Sequence, residues 1–359
     1  MASELVISGR EDDAFTHLLL VGLASILEDD ADERLECRIQ WRGLADATIT
    51  VNRASFDWMD CARIVHTHAE RWLTSAWLNA KGSYTAGRDR ATLNPTLGSL
   101  PSREAWQRLQ KDRHSAIDGL QTVGDRRYIG SLGEPSYWSG KSKMKADHQD
   151  FGRTRWEMTP SNGGQRFVDG RLLPIAQKVT LRSPEQIADG LVGRTVTDEI
   201  DNTQLAQTAS GLRAPSITDN ARAWCAFFGI SMFPVTRSVR QKPGSTAAAF
   251  ACEPVSGSYA ILPLWSEPWT LAKYRAVVRS RAMLTLGLDS CLARDSKERD
   301  MAGIDTKHVK ASRQWLLQKG VETCMLFRPQ STVGADNTIY WFGRGKSLWL
   351  TDPGADHGR

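Results

Sequence analysis

The sequence predicts an α+β chain made of two pseudo-repeated helix-hairpin-helix halves with an irregular, basic middle region. Three observations carry that expectation. Two apolar helical segments centred on a glycine, AFTHLLLVGLASIL around Gly22 and ARAWCAFFGISMF around Gly229, each lead into strand-like residues and then into another helix. The order helix, hairpin, helix therefore occurs twice at about the same spacing, the pattern left by an internal duplication. Between the copies, from Gly124 to Asn162, regular periodicity fades while Lys, Arg, Trp and Gly accumulate. These features divide the chain into a first half at 1–80, a basic insertion with short helices at 81–216 and a second half at 217–352.

The elements follow in order. Asp12 or Asp13 precedes the first apolar helix as an N-cap, accepting from amides that the first turn leaves unpaired. In RLECRIQWRG, Leu35, Cys37, Ile39 and Trp41 alternate with polar residues, and with a turn at Gly43 and the run ATITV they read as a half-buried hairpin. DWMDCARIVHTHAERWLTSAWL then reads as a helix. KGSYTAGRDRATLNPTLGSLPS, rich in Gly, Ser and Pro and carrying Lys81, Arg88 and Arg90, reads as a mobile loop. A helix from about Arg103 to Leu120 follows, and SPEQIADGLV forms a short one with Ser183 as N-cap and Pro184 in the first helical position. The second copy begins with Thr218 as N-cap, continues through AAAFACEPVSGSYAILPLW with its turn at Ser256 and Gly257, and reaches the helix PWTLAKYRAVVRSRAML. A helix from Thr306 to Lys319 stops at Gly320; ETCMLFRP and TIYWFGRG then form a terminal strand pair, and the tail after Asp352 frays.

Composition narrows the function classes. The 359 residues carry 46 Lys and Arg against 41 Asp and Glu, a net charge of +5 that is mild for a free-standing nucleic-acid binder and shifts attention to local clusters. The longest apolar run, Leu18 to Leu27, is about half a bilayer span, and the first residues carry Glu4, Glu11, Asp12 and Asp13 in place of a basic segment. A soluble cytoplasmic chain with no membrane partner is expected. The six cysteines, Cys37, Cys61, Cys225, Cys252, Cys291 and Cys324, make no CxxC pair and read as reduced, buried thiols. His66 and His68, two apart on a helix, lie on diverging faces and do not suit a shared metal. No metal and no other cofactor is expected.

Two Gly-Lys-Ser triplets, at Gly140-Lys141-Ser142 and Gly345-Lys346-Ser347, invite a nucleotide-binding reading. A P-loop needs a glycine five positions before the one that precedes the lysine, and those positions hold Pro135 and Tyr340. A different kind of phosphate fits better. Lys141, Lys143 and Lys145 alternate in a glycine-containing stretch with Arg153 and Arg155 beyond it and Trp138 and Trp156 as flanking aromatics. Such cations displace condensed counterions from a polyanion, and a tryptophan adds stacking worth ~1–3 kcal/mol per unpaired base. The same composition also suits a solvated loop that serves solubility. Asn162-Gly163-Gly164 fits either a turn inserted into a DNA minor groove or a plain hairpin turn. A second cationic stretch, TRSVRQKPGS, carries Arg237, Arg240 and Lys242 where the first copy reads EDDADER. Asp198, Glu199 and Asp201 are the densest carboxylate group; with one of the histidines they would serve the alternative, a metal-dependent nuclease or RNA-processing enzyme. No G-x-S-x-G elbow, HExxH helix or Cys-His pairing accompanies them.

Three stretches, NARAWCAFFGISMFPVTR, GRTRWEMTPSNGGQRFV and SRQWLLQKGVETCMLFRP, resemble the large-subunit-like proteins of type I CRISPR-Cas effector complexes, most closely the type I-U (also called I-G) group. The resemblance is spread over much of the chain and consists of loose apolar and glycine patterns with no catalytic signature. It implies a non-enzymatic subunit of a crRNA-guided surveillance complex that contacts target double-stranded DNA, helps read the protospacer-adjacent motif and recruits a separate helicase-nuclease. In such systems guide pairing supplies most sequence specificity, and protein contacts serve the flanking motif and the backbone. The chain departs from the family where it ends, since its last segments read as strands and large subunits often end in a helical bundle.

Overall fold

The computed structural model describes residues 2–30, 34–43, 46–85, 88–94, 100–132, 136–138, 147–149, 167–200, 210–233, 250–251, 259–292, 304–333 and 338–351. The fold is mixed α+β, with small antiparallel sheets set among helices. Strand β1 (Ser3–Ser8), which the periodicity does not anticipate, buries Leu5 and Ile7 and lies at the edge of the first sheet. Helix α1 (Ala14–Asp30) is buried over nearly its whole length, so its apolar residues form no single stripe. Asp13 caps it, accepting from the Phe15 amide at 3.1 Å, while Asp12 pairs with Arg10 and Arg344. The expected hairpin forms as β2 (Cys37–Arg42) and β3 (Asp46–Val51), turning at Gly43 with φ +65°. Its register places Ile39 opposite Ile49, and Leu35, Cys37, Ile39 and Trp41 are buried.

The following helix is broken where the sequence reads one element. Asp57 and Asp60 make a reciprocal capping box at the start of α2 (Trp58–Thr74), and Ser75 both ends α2 and caps α3 (Ala76–Asn79). The stretch expected as a mobile loop instead pairs as β4 (Lys81–Thr85) with β5 (Arg88–Ala91). Buried Tyr84 explains the difference, because its hydroxyl donates to Asp112 at 2.8 Å and lies 2.9 Å from the Thr92 hydroxyl. Helix α4 (Arg103–Asp118) follows its expected span, and α5 (Val123–Leu132) occupies residues expected to be irregular by burying Tyr128, Ile129 and Leu132. Short strands β6 (Ser136–Trp138) and β7 (Asp147–Gln149) pair next. A π-helical turn, Val168–Leu172, runs into α6 (Leu173–Thr180), and α7 (Pro184–Val192) carries the predicted Ser183 cap, closed as a box with Gln186.

In the second half, α8 (Asn220–Phe228) is capped by Asp219, not Thr218; the Asp219 carboxylate accepts from Ala221 and Arg222 amides. Gly229 starts a 3₁₀ turn that reaches Met232. Strands β8 (Phe250–Ala251) and β9 (Tyr259–Leu264) pair as the expected second hairpin, whose turn at Ser256 and Gly257 lies outside the described residues. A two-residue strand, β10 (Trp269–Thr270), crosses to the first sheet and pairs with β2, giving the order β1-β3-β2-β10. The next expected helix divides at Arg279 and Ser280 into α9 (Leu271–Val278) and α10 (Arg281–Leu292). Helix α11 (Thr306–Gln318) ends through Lys319 at Gly320, whose φ of +80° is the left-handed stop that glycine allows.

The terminal strands pair differently from expectation. β11 (Thr323–Phe327) lies between β9 and β14 (Lys346–Trp349), while β12 (Pro329–Val333) pairs with β13 (Thr338–Phe342). ETCMLFRP and TIYWFGRG therefore join only at Arg328 and Pro329, where Pro329 pairs with Phe342 and Arg328 O accepts from the Gly343 amide: the buried strand β11 takes partners on both edges, and β12 pairs with β13. The second sheet has the order β14-β11-β9-β8. Trp265 ties the two sheets, donating from Nε1 to Ile39 O at 2.9 Å while its own carbonyl accepts from Trp41 N at 3.1 Å.

Helices α1 and α8 meet at two glycines. A Cβ on Gly22 would fall 1.9 Å from Cys225 O, and one on Gly229 would fall 2.3 Å from Leu18 O. Leu18 precedes Gly22 by one helical turn, as Cys225 precedes Gly229, so the contact is reciprocal. One hydrophobic cluster runs through this crossing from Leu5 to Leu350. Because the obstructing atoms are backbone, the helices must separate to admit even a methyl group. Gly22→Ala and Gly229→Ala are each expected to destabilise the fold by about 3 kcal/mol, the upper end for overpacking. Equilibrium denaturant unfolding checks this; a decrease below about 0.5 kcal/mol would mean that the helices do not approach so closely.

Candidate nucleic-acid interface

Helix α4 is the platform of the basic insertion. It buries Ala105, Leu109 and Arg113 on one face, packs against β4 and β6, and exposes Arg103, Gln107, Lys111 and His114 on the opposite face with Arg108 beside them. The spacing of four between Arg103, Gln107 and Lys111 sets them on successive turns of one stripe. A satellite cluster of Tyr84, Leu100 and Leu109, with Trp106 packed on it, fixes α4 to the β4–β5 hairpin.

Of the sequence-predicted site residues, the structure describes Trp138, in β6, which packs against α4. Trp138 ends β6 and pairs in register with Asp147 of β7, and Ser136 pairs with Gln149. The segment carrying Lys141, Lys143 and Lys145 thus runs between two paired strands, while the lysines themselves lie outside the described residues. Arg153, Arg155, Trp156, Asn162, Gly163 and Gly164 also lie outside them, as do Arg237, Arg240 and Lys242.

The residues proposed for metal or acid-base chemistry have structural partners. Arg182, which is buried, donates to Glu199 through Nε and Nη2, to Asp219 through Nη1 at 3.0 Å and to Thr197 O through Nη2 at 2.7 Å. Asp198 accepts from the Thr218 amide. The acidic segment is therefore bound to the α8 N-cap and the turn after α6, with charge-assisted bonds on both sides of one guanidinium. Asp201 lies outside the described residues. Among the described residues, no group of three or more His, Cys, Asp or Glu could hold a metal ion. Cys37, Cys61, Cys225 and Cys324 are free and buried, and burial raises the thiol pKa of each. No helix among the described residues is long and apolar enough to cross a membrane.

Two histidines are core residues. His17 donates from Nε2 to Glu11 O at 2.7 Å and packs on Trp41, and burial holds its pKa down at about 4. His68 accepts from Trp224 Nε1 at 3.1 Å through Nδ1, which fixes its neutral tautomer, and burial pushes its pKa well below the ordinary value. It stands among Trp72, Trp224 and Phe228. His66 is half-buried, with Nε2 3.2 Å from Thr180 O.

Sequence reasoning did not bring Arg127, Arg275 and Arg279 together; the structure gathers them near Phe233, the last described residue before the segment with Arg237, Arg240 and Lys242. The one signal in the sequence was the spacing of Arg275 and Arg279, four apart on one helix face. The chain matches no family model, no curated protein and no solved structure.

The two buried imidazoles set a pH dependence. Above about pH 6.5 both are neutral in folded and unfolded chains and contribute no slope. Below it the unfolded chain takes up protons that the folded chain refuses, so stability falls as pH drops toward the folded value of about 4 for His17. Urea unfolding between pH 7 and pH 5.5 is expected to lose stability with a slope approaching about 2.7 kcal/mol per pH unit, the limit for two protons. A flat profile over that interval would contradict the neutral, buried assignment of His17 and His68.

Proposed function

We propose that the chain is a non-catalytic DNA-binding subunit of a crRNA-guided type I CRISPR surveillance complex, working in the cytoplasm. In this reading it contacts target double-stranded DNA and the protospacer-adjacent motif and helps recruit a helicase-nuclease. The observation that carries the reading is the β6–β7 stem beside α4, whose pairing of Trp138 with Asp147 brackets the segment holding Lys141, Lys143 and Lys145. Cations on such a connection meet a phosphate backbone without needing a carved pocket. Arg103, Arg108 and Lys111 are also exposed on α4, where the exposed Glu104 faces Arg103 and Arg108. Arg153, Arg155, Arg237, Arg240 and Lys242 add backbone contacts, Trp138 stacks, and Asn162-Gly163-Gly164 reads the groove.

The use of Asp198 and Glu199 as partners for Arg182 and the Thr218 amide supports a binding role over the metal-dependent nuclease alternative. We also read the two halves as copies of one unit. The equivalence of Gly22 with Gly229 drawn from sequence also pairs Leu18 with Cys225, and the reciprocal backbone contacts at the helix crossing follow that pairing. Contacts of this kind arise when two like units meet about a two-fold axis.

Replacing Lys141, Lys143 and Lys145 together with alanine is expected to weaken DNA capture alike for all sequences and to lower the salt slope by about 0.9 for each phosphate no longer neutralised. Asn162→Ala is expected to change preference for the flanking motif instead. Filter binding at several salt concentrations, with and without Mg²⁺, reads both. An unchanged slope removes the lysines from the interface, and cleavage abolished by Asp198→Ala overturns the reading in favour of a nuclease.

A further inference from the structure

Two helices from opposite sides of the chain converge on a single carbonyl. Phe233 O accepts from Ser131 Oγ of α5 at 2.9 Å and from Arg279 Nη2, at the end of α9, at 2.9 Å; Arg279 Nε reaches Met232 O at 3.3 Å. One turn before Ser131 on α5 lies Arg127, whose carbonyl also accepts from Ser131 Oγ at 2.8 Å. One turn before Arg279 on α9 lies Arg275. Residues four apart on a helix share a face, so each helix turns an arginine pair or an arginine-serine pair toward the same junction.

The charge there is unbalanced. Burial and then the Arg127 charge lower the pKa of both Arg275 and Arg279, the mark of guanidiniums crowded together. Glu28 is the carboxylate that offsets them, acting on Arg275 while Arg275 and Arg127 act on it; its Oε1 is already engaged by the Cys37 amide at 3.0 Å. Glu36 bears on Glu28 in turn. Among the described residues, no hydrogen bond or ion pair closes on the side chain of Arg127 or Arg275, and Arg275 Nη1 is buried without a partner. A buried donor left unpaired is unfavourable, and several like charges held together gain most from a multivalent anion whose oxygens match the guanidinium fork.

We propose that Arg127, Arg275 and Arg279 form a phosphate-binding site that takes the phosphodiester backbone of a nucleic acid. The proposal rests on the nucleic-acid reading above and adds a site distinct from the β6–β7 stem. Arg279, anchored on two carbonyls, orients the site, and Arg127 and Arg275 supply the uncommitted donors.

The test uses the full chain, labelled single- and double-stranded DNA, and inorganic phosphate as a competitor at constant ionic strength. Arg127→Gln with Arg275→Gln is expected to weaken DNA binding about tenfold or more and to lower the salt slope by about two, one for each guanidinium removed from the phosphate backbone. Lys307→Gln with Lys310→Gln, on the exposed face of α11, serves as the control and is expected to leave both nearly unchanged. Thermal unfolding of each variant establishes that the fold persists, and the single substitutions replace the pair if it does not fold. If the wild-type chain binds DNA and the arginine variants keep its affinity and slope, the site is overturned while the nucleic-acid reading stands. Equal weakening in the control variant assigns binding to diffuse charge and also overturns the site. Displacement of DNA by millimolar phosphate alone assigns the arginines to free phosphate and overturns the backbone assignment. A wild-type chain that binds no nucleic acid overturns the reading and the site together.

Discussion

The contact at Gly22 and Gly229 is the constraint on which the remaining architecture depends. Two helices approach until backbone opposes backbone, which removes the space for side chains at the crossing and turns their apolar residues outward into the surrounding elements. Helix α1 packs on the first sheet and on α2, while Trp224 and Phe228 of α8 reach Trp72 of α2 and Tyr128 of α5, with Phe228 stacked on Tyr128 at 4.7 Å. Tyr128 lies on α5, one residue after Arg127. The chain that leaves α8 runs through the 3₁₀ turn to Phe233, where α5 and α9 are bonded to it. The position of the arginine junction is therefore a consequence of how closely α1 and α8 meet.

Charge in this protein is divided between two uses. Inside, Arg182 is saturated by Glu199, Asp219 and Thr197 O, an arrangement that ties residues 197–199 to the N-cap of α8 and leaves that guanidinium fully paired. At the α5–α9 junction, cations are exposed or half-buried, and Glu28 is the acid that bears on Arg275. A net charge of +5 over 359 residues conceals this division. Local excess, not the total, governs attraction to a polyanion.

Elements with strong local signals were legible. The alternation of Leu35, Cys37, Ile39 and Trp41 marked the β2–β3 hairpin, Ser183 and Pro184 marked the start of α7, and Gly320 marked the end of α11. What was not legible depended on partners distant in sequence. Tyr84 turns a Gly- and Ser-rich stretch into a hairpin only because Asp112 and Thr92 are nearby in space. Serine breaks at Ser75 and Ser280 divide two helices that periodicity reads as continuous, and β10 joins a sheet whose other strands lie more than two hundred residues earlier. For the candidate site, composition marked the lysine segment but could not gather Arg127 with Arg275 and Arg279, since that meeting is made by tertiary packing at Phe233.

The proposed grip on nucleic acid runs through the cationic segment between β6 and β7 and through the α5–α9 junction, with no cleavage of the strand. Photocrosslinking of the full chain to duplex DNA, followed by mass-spectrometric mapping of the attached peptides, tests it most directly. The account predicts attachment within peptides spanning 136–149 and within those of α5 or α9, with the DNA intact. Attachment confined to the α7–α8 segment around Asp198 and Glu199, or strands cut during incubation, would contradict it.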